Sequence, residues 1–267
     1  MYGLRASAFL FLPPFWEAAS DGRIGRQDYS KRLKPTISSM PPAEEFKQRN
    51  TRPASVLNVG GFRPTMNILA SNMCRAPVGL ANETWPVLKA VPLAFVCQMN
   101  LTDAPAVPDL LRDIALLTFF VSPEDSDLGR ENGDGWISRA YKSLEGLATL
   151  VPPPNVPKTG KAFECAWEKI ADHPNHDDPE RVSISGARTP RSGFENVART
   201  KVGGYASTIQ SEPWWGYDPH PAQPRFCLQI NSEEKAQLAW GDGGTLYIAR
   251  GTAPGTGEQW YLDWQCF

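Results

Sequence analysis

Few side chains in this sequence have the types and spacing needed for chemistry. The best candidate for a metal site is residues 173–178, where His173 and His176 lie three residues apart and two carboxylates follow. Imidazole and carboxylate groups are ligands of zinc and related metals. The same residue types also form solvated turns, and no separate cluster of ligands completes the set. We therefore predict a proline-bounded solvated loop here and no bound metal.

No nucleophile has neighbours in the sequence that would activate it. Cys97 and Cys227 lie in apolar segments that predict buried strands, and a thiol buried in apolar surroundings is unreactive. The sequence contains neither the Gly-x-Ser-x-Gly elbow of hydrolases nor the lysine-containing phosphate loop. We expect no catalytic residues and no cofactor, so an enzyme ranks behind a binding protein.

Two glycine-rich segments predict turns. The segment that begins Trp240, Gly241, Asp242 has one carboxylate, which is too few for calcium, and no helix start follows that could bind phosphate. An aspartate in such a turn usually bonds the turn backbone. Gly203 and Gly204 permit a tight turn or a close backbone approach. We assign structural roles to these five residues.

Aromatic and acidic side chains outside the predicted strands are candidates for partner binding. Large aromatic residues can anchor an interface or cap the edge of a core, and the sequence leaves both alternatives open. Acidic loops would complement a basic partner surface and speed association. The aromatic candidates are Trp214, Trp215 and Tyr217, and the acidic candidates are Asp125, Asp127, Glu131 and Asp134.

Composition limits the class of partner. The 267 residues have a formal net charge of −2, which gives no electrostatic footprint for nucleic acid or an anionic membrane. No apolar run reaches the roughly 20 residues of a membrane helix. The five cysteines are an odd set without a Cys-x-x-Cys pair, which predicts free thiols in a reducing, cytoplasmic environment.

Two segments share the order Phe-x-x-Gln-(Met/Ile)-Asn, which predicts an internal duplication. They are residues 95–100 and 226–231, and each follows a glycine pair, at residues 60–61 and 203–204. The buried amides must find hydrogen-bond partners, or each costs about 1–3 kcal/mol. We expect them either to pair across the two halves or to line a cleft between the halves. The amides are Gln98, Asn100, Gln229 and Asn231.

The 25 prolines and 22 glycines predict many turns and few long helices. We predict an α+β protein of mainly antiparallel sheet, built from two internally duplicated β-rich halves with a few short helices. We expect residues 1–54 to form a polar, partly disordered extension with a short helix at 42–49. The domain then spans 55–267, with halves at 56–122 and 201–267 and a variable insert at 123–200. We also expect a helix at 161–171 and a terminal strand.

Several motifs together resemble the YwqG-like family, a bacterial domain of unknown function. They lie at residues 201–205, 209–213, 228–231, 240–244 and 261–266, with corresponding elements in the first half at 60–64, 85–86 and 92–101. The resemblance covers about residues 55–266. It implies a cytoplasmic α+β protein of duplicated sheet units with no established activity. It also implies an immunity or partner-binding role, because relatives are often encoded near polymorphic toxins.

The function expected from these features is binding rather than catalysis. The first hypothesis is a non-enzymatic protein-binding protein, such as an immunity protein that occludes a bacterial toxin. The alternative is a small-ligand-binding module that uses a cleft between the two halves.

Overall fold

Two long strands, β1 (Arg52–Val59) and β10 (Phe163–Asp172), pair antiparallel in the middle of one large sheet. The computed structural model describes residues 41–123 and 128–267. The ten strands of the sheet run in the order β14-β13-β12-β11-β1-β10-β2-β6-β7-β8, while β3 pairs with β9 and β4 with β5. The strands are β1 Arg52–Val59, β2 Asn72–Met73, β3 Val78–Leu80, β4 Val87–Leu88, β5 Val91–Pro92, β6 Ala94–Asn100, β7 Leu116–Val121, β8 Trp136–Tyr141, β9 Leu147–Thr149, β10 Phe163–Asp172, β11 Lys201–Gly203, β12 Arg225–Asn231, β13 Thr245–Arg250 and β14 Trp260–Gln265.

The α+β class predicted from the sequence is wrong. The protein is mostly β, with 34% strand against 8% helix, and the ten-stranded antiparallel sheet is a nearly closed barrel. The described residues contain one α-helix, α1 at Pro42–Arg49, where the sequence predicted it. The remaining helical turns are short 3₁₀ segments, at Leu101–Asp103, Asp109–Leu111 and Trp214–Gly216.

The helix predicted at residues 161–171 is also wrong, because this segment is most of β10. The prediction used the helical spacing of Phe163, Trp167 and Ile170. On the strand, Phe163 and Trp167 instead share one face with Cys165, and all three pack against the main core. Pairing along the whole of β1 holds this segment extended. The terminal strand predicted from alternating residues is confirmed as β14.

The strands on either side of the central pair form two similar groups. One group is β2-β6-β7-β8 and the other is β11-β12-β13-β14. The pairing of β6 with β7 shifts register between Phe95 and Cys97, and the pairing of β12 with β13 shifts between Phe226 and Leu228. Such a bulge leaves one extra residue on the strand, here in matching positions of the repeated motif.

The boundaries of these groups differ from those expected for the halves. β8 lies in the segment 123–200 that was expected to be a variable insert, and so does β10. β1 begins in the expected extension and ends in the expected first half, but it pairs directly with β11 of the other group, while β10 pairs with β2. Each group therefore borders a central strand that comes from the opposite part of the chain.

A short segment before β8 joins the two edges of the sheet. The Arg130 carbonyl accepts a hydrogen bond from Leu262 N (2.9 Å), and Asn132 N donates to the Trp260 carbonyl (3.1 Å), both on β14. The side chain of Asn132 turns the other way, accepting from Ser138 N (2.9 Å) and donating to Ser138 O (3.1 Å) on β8. These bonds satisfy backbone groups of two edge strands that would otherwise be free to pair with other chains.

The space between the two groups is filled by the main hydrophobic core. Cys97, Met99 and Phe119 from one group face Leu228, Ile230 and Ile248 from the other, around a void of only about 10 Å³. The core therefore leaves no room for a ligand between these strands. No helix in the described ranges is long and apolar enough to cross a membrane.

We predict that the two repeated glutamines contribute similarly to stability. Gln98 and Gln229 are fully buried and bonded to backbone groups, so Gln98→Met and Gln229→Met each leave buried groups unpaired. Each unpaired group costs about 1–3 kcal/mol. Urea unfolding should show that loss in both variants. The exposed Gln48→Met is the control, with a change within about 0.5 kcal/mol. A loss in only one of the two variants would contradict equivalent roles.

Candidate functional site

Two surface clefts lie at equivalent places in the two groups of strands. Each is lined by the segment that follows β2 or β11 and by the phenylalanine at the bulge of β6 or β12. The chain leaves β11 through Gly203 with φ 75°, and it leaves β2 through Cys74 with φ 53°. A backbone turn into the left-handed region therefore opens both clefts, although only one of the two residues is glycine.

The cleft beside β12, the acidic cleft, is lined by four carboxylates and two guanidinium groups. Its volume is about 260 Å³. Its outer wall comes from the long connection between β10 and β11, whereas the corresponding connection between β1 and β2 is much shorter. The charged lining residues are Asp177, Asp178, Glu180, Glu212, Arg52 and Arg225, and the aromatic ones are Tyr205, Trp215 and Phe226.

Helix α1 holds the outer wall in place. The buried ring of Phe46 packs against Phe194 with ring centroids 5.1 Å apart. Buried Asn50 follows the helix, and its amide accepts from Val182 N (2.8 Å) and donates to Val182 O (2.9 Å). The loop is therefore attached to the body through apolar contact and a paired amide, so the cleft has a fixed shape.

A buried ion pair lies beneath the acidic cleft. Lys201 Nζ donates to Asp172 Oδ2 at 2.7 Å and to Ser207 Oγ at 3.1 Å, and both charged side chains are fully buried. Asp172 also accepts from Val197 N and Tyr205 N, each at 2.9 Å. Burial lowers the pKa of the Lys201 ammonium, and the adjacent Asp172 carboxylate opposes that shift. The pair therefore links β10, β11 and the start of the cleft wall.

The glycine after β11 is required by this ion pair. A Cβ on Gly204 would lie 2.2 Å from Asp172 Oδ2, and the residue has φ 69°. Gly203 likewise approaches the backbone of β1, since a Cβ there would lie 3.2 Å from the Pro53 carbonyl oxygen. The structural roles assigned to this glycine pair rest on contacts with β1 and β10.

The carboxylates of the acidic cleft are unevenly paired. Arg52 contacts Glu180, and Arg225 Nη2 lies 3.7 Å from the same carboxylate. Within the described residues, Asp177, Asp178 and Glu212 have no ion-pair partner within 4.0 Å. Burial raises the pKa of Asp178, and the neighbouring Glu180 and Glu212 charges add to the shift. The cleft thus holds unneutralised negative charge.

An aromatic group with an unused hydroxyl forms part of the same cleft. The Arg52 guanidinium lies over the Tyr205 ring, 4.1 Å from its centroid. Tyr205 is 2% exposed, and its hydroxyl has no hydrogen-bond partner in the part of the chain that the structure describes. With its ring beneath Arg52 and its hydroxyl buried, Tyr205 forms part of the packed wall of the cleft.

The aromatic candidates for partner binding occupy three different environments. Trp214 is buried and donates from Nε1 to the Leu262 carbonyl (2.8 Å), so it belongs to the core edge. Trp215 is half-buried and lines the acidic cleft. Tyr217 is 65% exposed outside the cleft. Of the three, only Trp215 can contact a ligand in this cleft.

The acidic candidates that lie within the described residues are outside the acidic cleft. Asp125 and Asp127 fall outside the described residues. Glu131 is exposed within the segment that bridges to β14, with His220 Nε2 3.8 Å from its Oε1. Asp134 is exposed, and its side chain packs against Gly129. Sequence reasoning considered Asp177 and Asp178 only as carboxylates of the rejected metal site and did not consider Glu212, because only the fold brings the three together.

The repeated amides are structural within each group rather than across the two groups. Gln98 accepts from Val78 N (2.9 Å) and donates to Ile68 O and Ala70 O, while Gln229 accepts from Ser207 N (2.9 Å) and donates to Arg199 O. Asn100 bonds Thr102 N through its side chain, and Asn231 Oδ1 accepts from Gln229. These residues tie each loop to its sheet and line neither cleft.

The remaining predicted turn is present, but within the described residues Asp242 bonds through its backbone carbonyl and not, as expected, through its carboxylate. Gly241 has φ 51°, and the Asp242 carbonyl accepts a bond from Phe267 N. The preceding Trp240 is buried in the main core. These residues therefore fix the end of β14 against the turn before β13.

The predicted solvated loop at 173–178 is wrong for His173. This histidine is 6% exposed, stacks on Phe194 at 4.2 Å and has Nδ1 3.2 Å from the Glu195 carbonyl oxygen. His176 is exposed. The described residues contain no group of three or more His, Cys, Asp or Glu side chains arranged to hold a metal.

The cleft beside β6, the basic cleft, has a volume of about 700 Å³. Its charged lining residues are Arg75, Lys158 and Lys161, and Cys74 and Thr159 contribute polar groups. The equivalent position in the fold therefore has the opposite charge in this group of strands.

Comparison with known proteins identifies one family. Residues 71–250 match the family described as Domain of unknown function (DUF1963). The match covers more than half of the chain, from just before β2 to the end of β13, and includes all lining residues of the basic cleft and all but Arg52 of the acidic cleft. A comparison with curated proteins gave no match.

We predict that Lys201→Met is strongly destabilising, because it leaves the Asp172 carboxylate buried without its cation. Breaking a buried pair in this way costs about 3–5 kcal/mol. The Lys201→Met/Asp172→Asn double variant should recover part of the loss, since no uncompensated charge remains. Exposed Lys169→Met is the control in guanidinium unfolding. A single variant no less stable than this control would contradict the role of the pair.

Proposed function

The chain belongs to the DUF1963 family, and on that premise we propose that it is a non-enzymatic binding protein whose acidic cleft holds a basic side chain of a partner protein. The observation that carries the proposal is the set of unpaired carboxylates, Asp177, Asp178 and Glu212, around one cleft. Unneutralised charge in a partly buried site favours a ligand of opposite sign.

The walls of the cleft suit an arginine or lysine side chain. The half-buried Trp215 and Phe226 supply ring faces, and a cation over such a face gains about 0.5–2 kcal/mol. The volume of about 260 Å³ lies just below the range of about 300–1,000 Å³ of small-molecule sites, which favours one side chain over a complete small ligand.

The proposal also covers the identity of the family and the kind of partner. We propose that the family is the YwqG-like one and that an immunity protein binding a toxin is one form of the same function. Toxins that act on nucleic acid present basic surfaces, which the acidic cleft would occlude. The alternative of a small ligand between the two groups has less support, because the intervening core is filled.

The test compares two short peptides that differ only in charge. One carries two arginines between glycine and serine residues, and the other carries citrulline in place of arginine. We expect the arginine peptide to bind, and the Asp178→Asn/Glu212→Gln variant to weaken its affinity by up to about fivefold for each carboxylate removed. Isothermal titration calorimetry at low salt measures both affinities.

The matched control is Glu145→Gln/Glu234→Gln, which removes the same charge from exposed sites outside the cleft. This control should leave binding nearly unchanged. Equal affinity for both peptides, or equal losses in the two double variants, would count against the proposal. The wild-type protein and the control variant should also capture a natural partner that the cleft variant does not. That result would show that the cleft is used in the cell.

The raised pKa of Asp178 predicts a trade-off between binding and stability. The folded chain holds the proton more tightly than the unfolded chain, so ionisation of Asp178 lowers the free energy of unfolding as pH rises through this range. Asp178→Asn keeps an acceptor for Glu180 N and removes that cost. We therefore expect the variant to have a higher Tm at pH 7 and weaker arginine-peptide binding.

The gain in Tm should disappear below about pH 3, where the wild-type carboxyl is protonated in both states. Thermal unfolding at pH 7 and pH 3 measures this difference. A variant less stable than the wild type at pH 7 would show that the ionised carboxylate is favoured by the fold.

A further inference from the structure

We propose that the basic cleft binds a free amphipathic anion, with an apolar body inside the cleft and a carboxylate at its lysine rim. This site is separate from the acidic cleft and does not depend on its function. Three features support it: the sign of the lining charge, the apolar walls and the fixed position of the lysines.

The charged groups that line the basic cleft are all cationic. Arg75 Nη1 lies 3.1 Å from the buried Glu164 carboxylate, which neutralises it. Lys158 and Lys161 are exposed and have no ion-pair partner in the described part of the chain. Two unpaired ammonium groups at one rim favour an anionic group at that position.

The rest of the lining is mostly apolar. The volume of about 700 Å³ is within the range of small-molecule sites, about 300–1,000 Å³. An entirely polar anion would leave these walls in water, whereas an alkyl or aryl body would cover them. The apolar lining includes Ala76, Pro77, Trp85, Phe95, Leu150 and Val156.

Hydrogen bonds fix the segment that carries the lysines. Lys158 bridges to Phe95, Thr159 Oγ1 donates to the Phe95 carbonyl (2.7 Å), and Lys161 N donates to the Ala236 carbonyl (2.6 Å). The opposite wall is held where Trp85 Nε1 donates to the Leu93 carbonyl (2.8 Å). A cleft held in this way needs little ordering when a ligand binds.

The thiol in this cleft is suited to binding rather than to reaction. Thr159 uses its hydroxyl proton on Phe95, so its contact with Cys74 Sγ at 3.1 Å requires Cys74 to donate. Burial raises the pKa of the Cys74 thiol, which keeps it protonated. Cys74 therefore forms part of the wall.

The experiment uses two probes with the same tail and opposite head charge, dodecanoate and dodecyltrimethylammonium, below their micelle concentrations. We expect the wild-type protein to bind dodecanoate at a one-to-one ratio and the ammonium probe more weakly. Lys158→Glu/Lys161→Glu should weaken dodecanoate binding by about tenfold or more and strengthen binding of the ammonium probe. Calorimetric titration measures both.

Two further variants distinguish the effect of charge from the effect of cleft volume. Lys47→Glu/Lys169→Glu makes the same charge change at exposed sites outside the cleft and should leave dodecanoate binding unchanged. Ala76→Phe fills the cleft and should weaken both probes. Each variant is first checked for an unchanged unfolding transition, and the two charge variants decide the test if Ala76→Phe does not fold.

Three outcomes would overturn the proposal. Equal wild-type affinity for both probes would show that charge does not select the ligand. Dodecanoate binding that survives Lys158→Glu/Lys161→Glu would place the ligand elsewhere. Lysine-dependent sedimentation with phosphatidylglycerol vesicles, without binding of monomeric dodecanoate, would identify a membrane surface instead of a free ligand.

Discussion

The pairing of β1 with β10 is the constraint on which the rest of the structure depends. Every residue of β1 is paired with β10, and each strand also borders a group of four strands, β1 through β11 and β10 through β2. Each group is therefore bordered by a central strand from another part of the chain, so neither group forms its part of the sheet without that strand. Closure of the edges through Asn132 adds a second connection, so the groups share one core and stabilise each other.

The two clefts show how one framework can carry opposite chemistry. The bulge at Phe95 or Phe226 and the left-handed turn at Cys74 or Gly203 create a cleft at the same place in each group. The sign of the charge is then set mainly by the connections between strands. The wall between β10 and β11 brings carboxylates, whereas the segment before β10 brings lysines. Loops of this kind can change charge without altering the core that supports them.

Local patterns in the sequence predicted the elements whose period is unambiguous. Alternation at Trp260–Gln265 predicted β14, and the short helix predicted at 42–49 is α1. The pattern at β10 was ambiguous, because Phe163 and Trp167 fit helical spacing and also alternate with Glu164 and Glu168. Only the long-range pairing with β1 decides between them. The two glycine pairs are not equivalent, although the sequence aligned them: Gly60 follows β1, whereas the counterpart of Gly203 is Cys74.

The acidic site could not be predicted because its charges are distant in sequence. Asp178, Glu212 and Arg52 come together only when β1 pairs with β11 and α1 holds the long connection. The Lys201–Asp172 pair beneath them could not be predicted either, because a lysine at the start of a strand is usually exposed and only the fold shows that this one is buried.

The buried pair and the acidic cleft both retain ionisable groups at a cost in desolvation. In the buried pair the charges satisfy each other, whereas in the cleft the carboxylates remain unpaired. The contrast assigns the first site to stability and leaves the second available for a ligand.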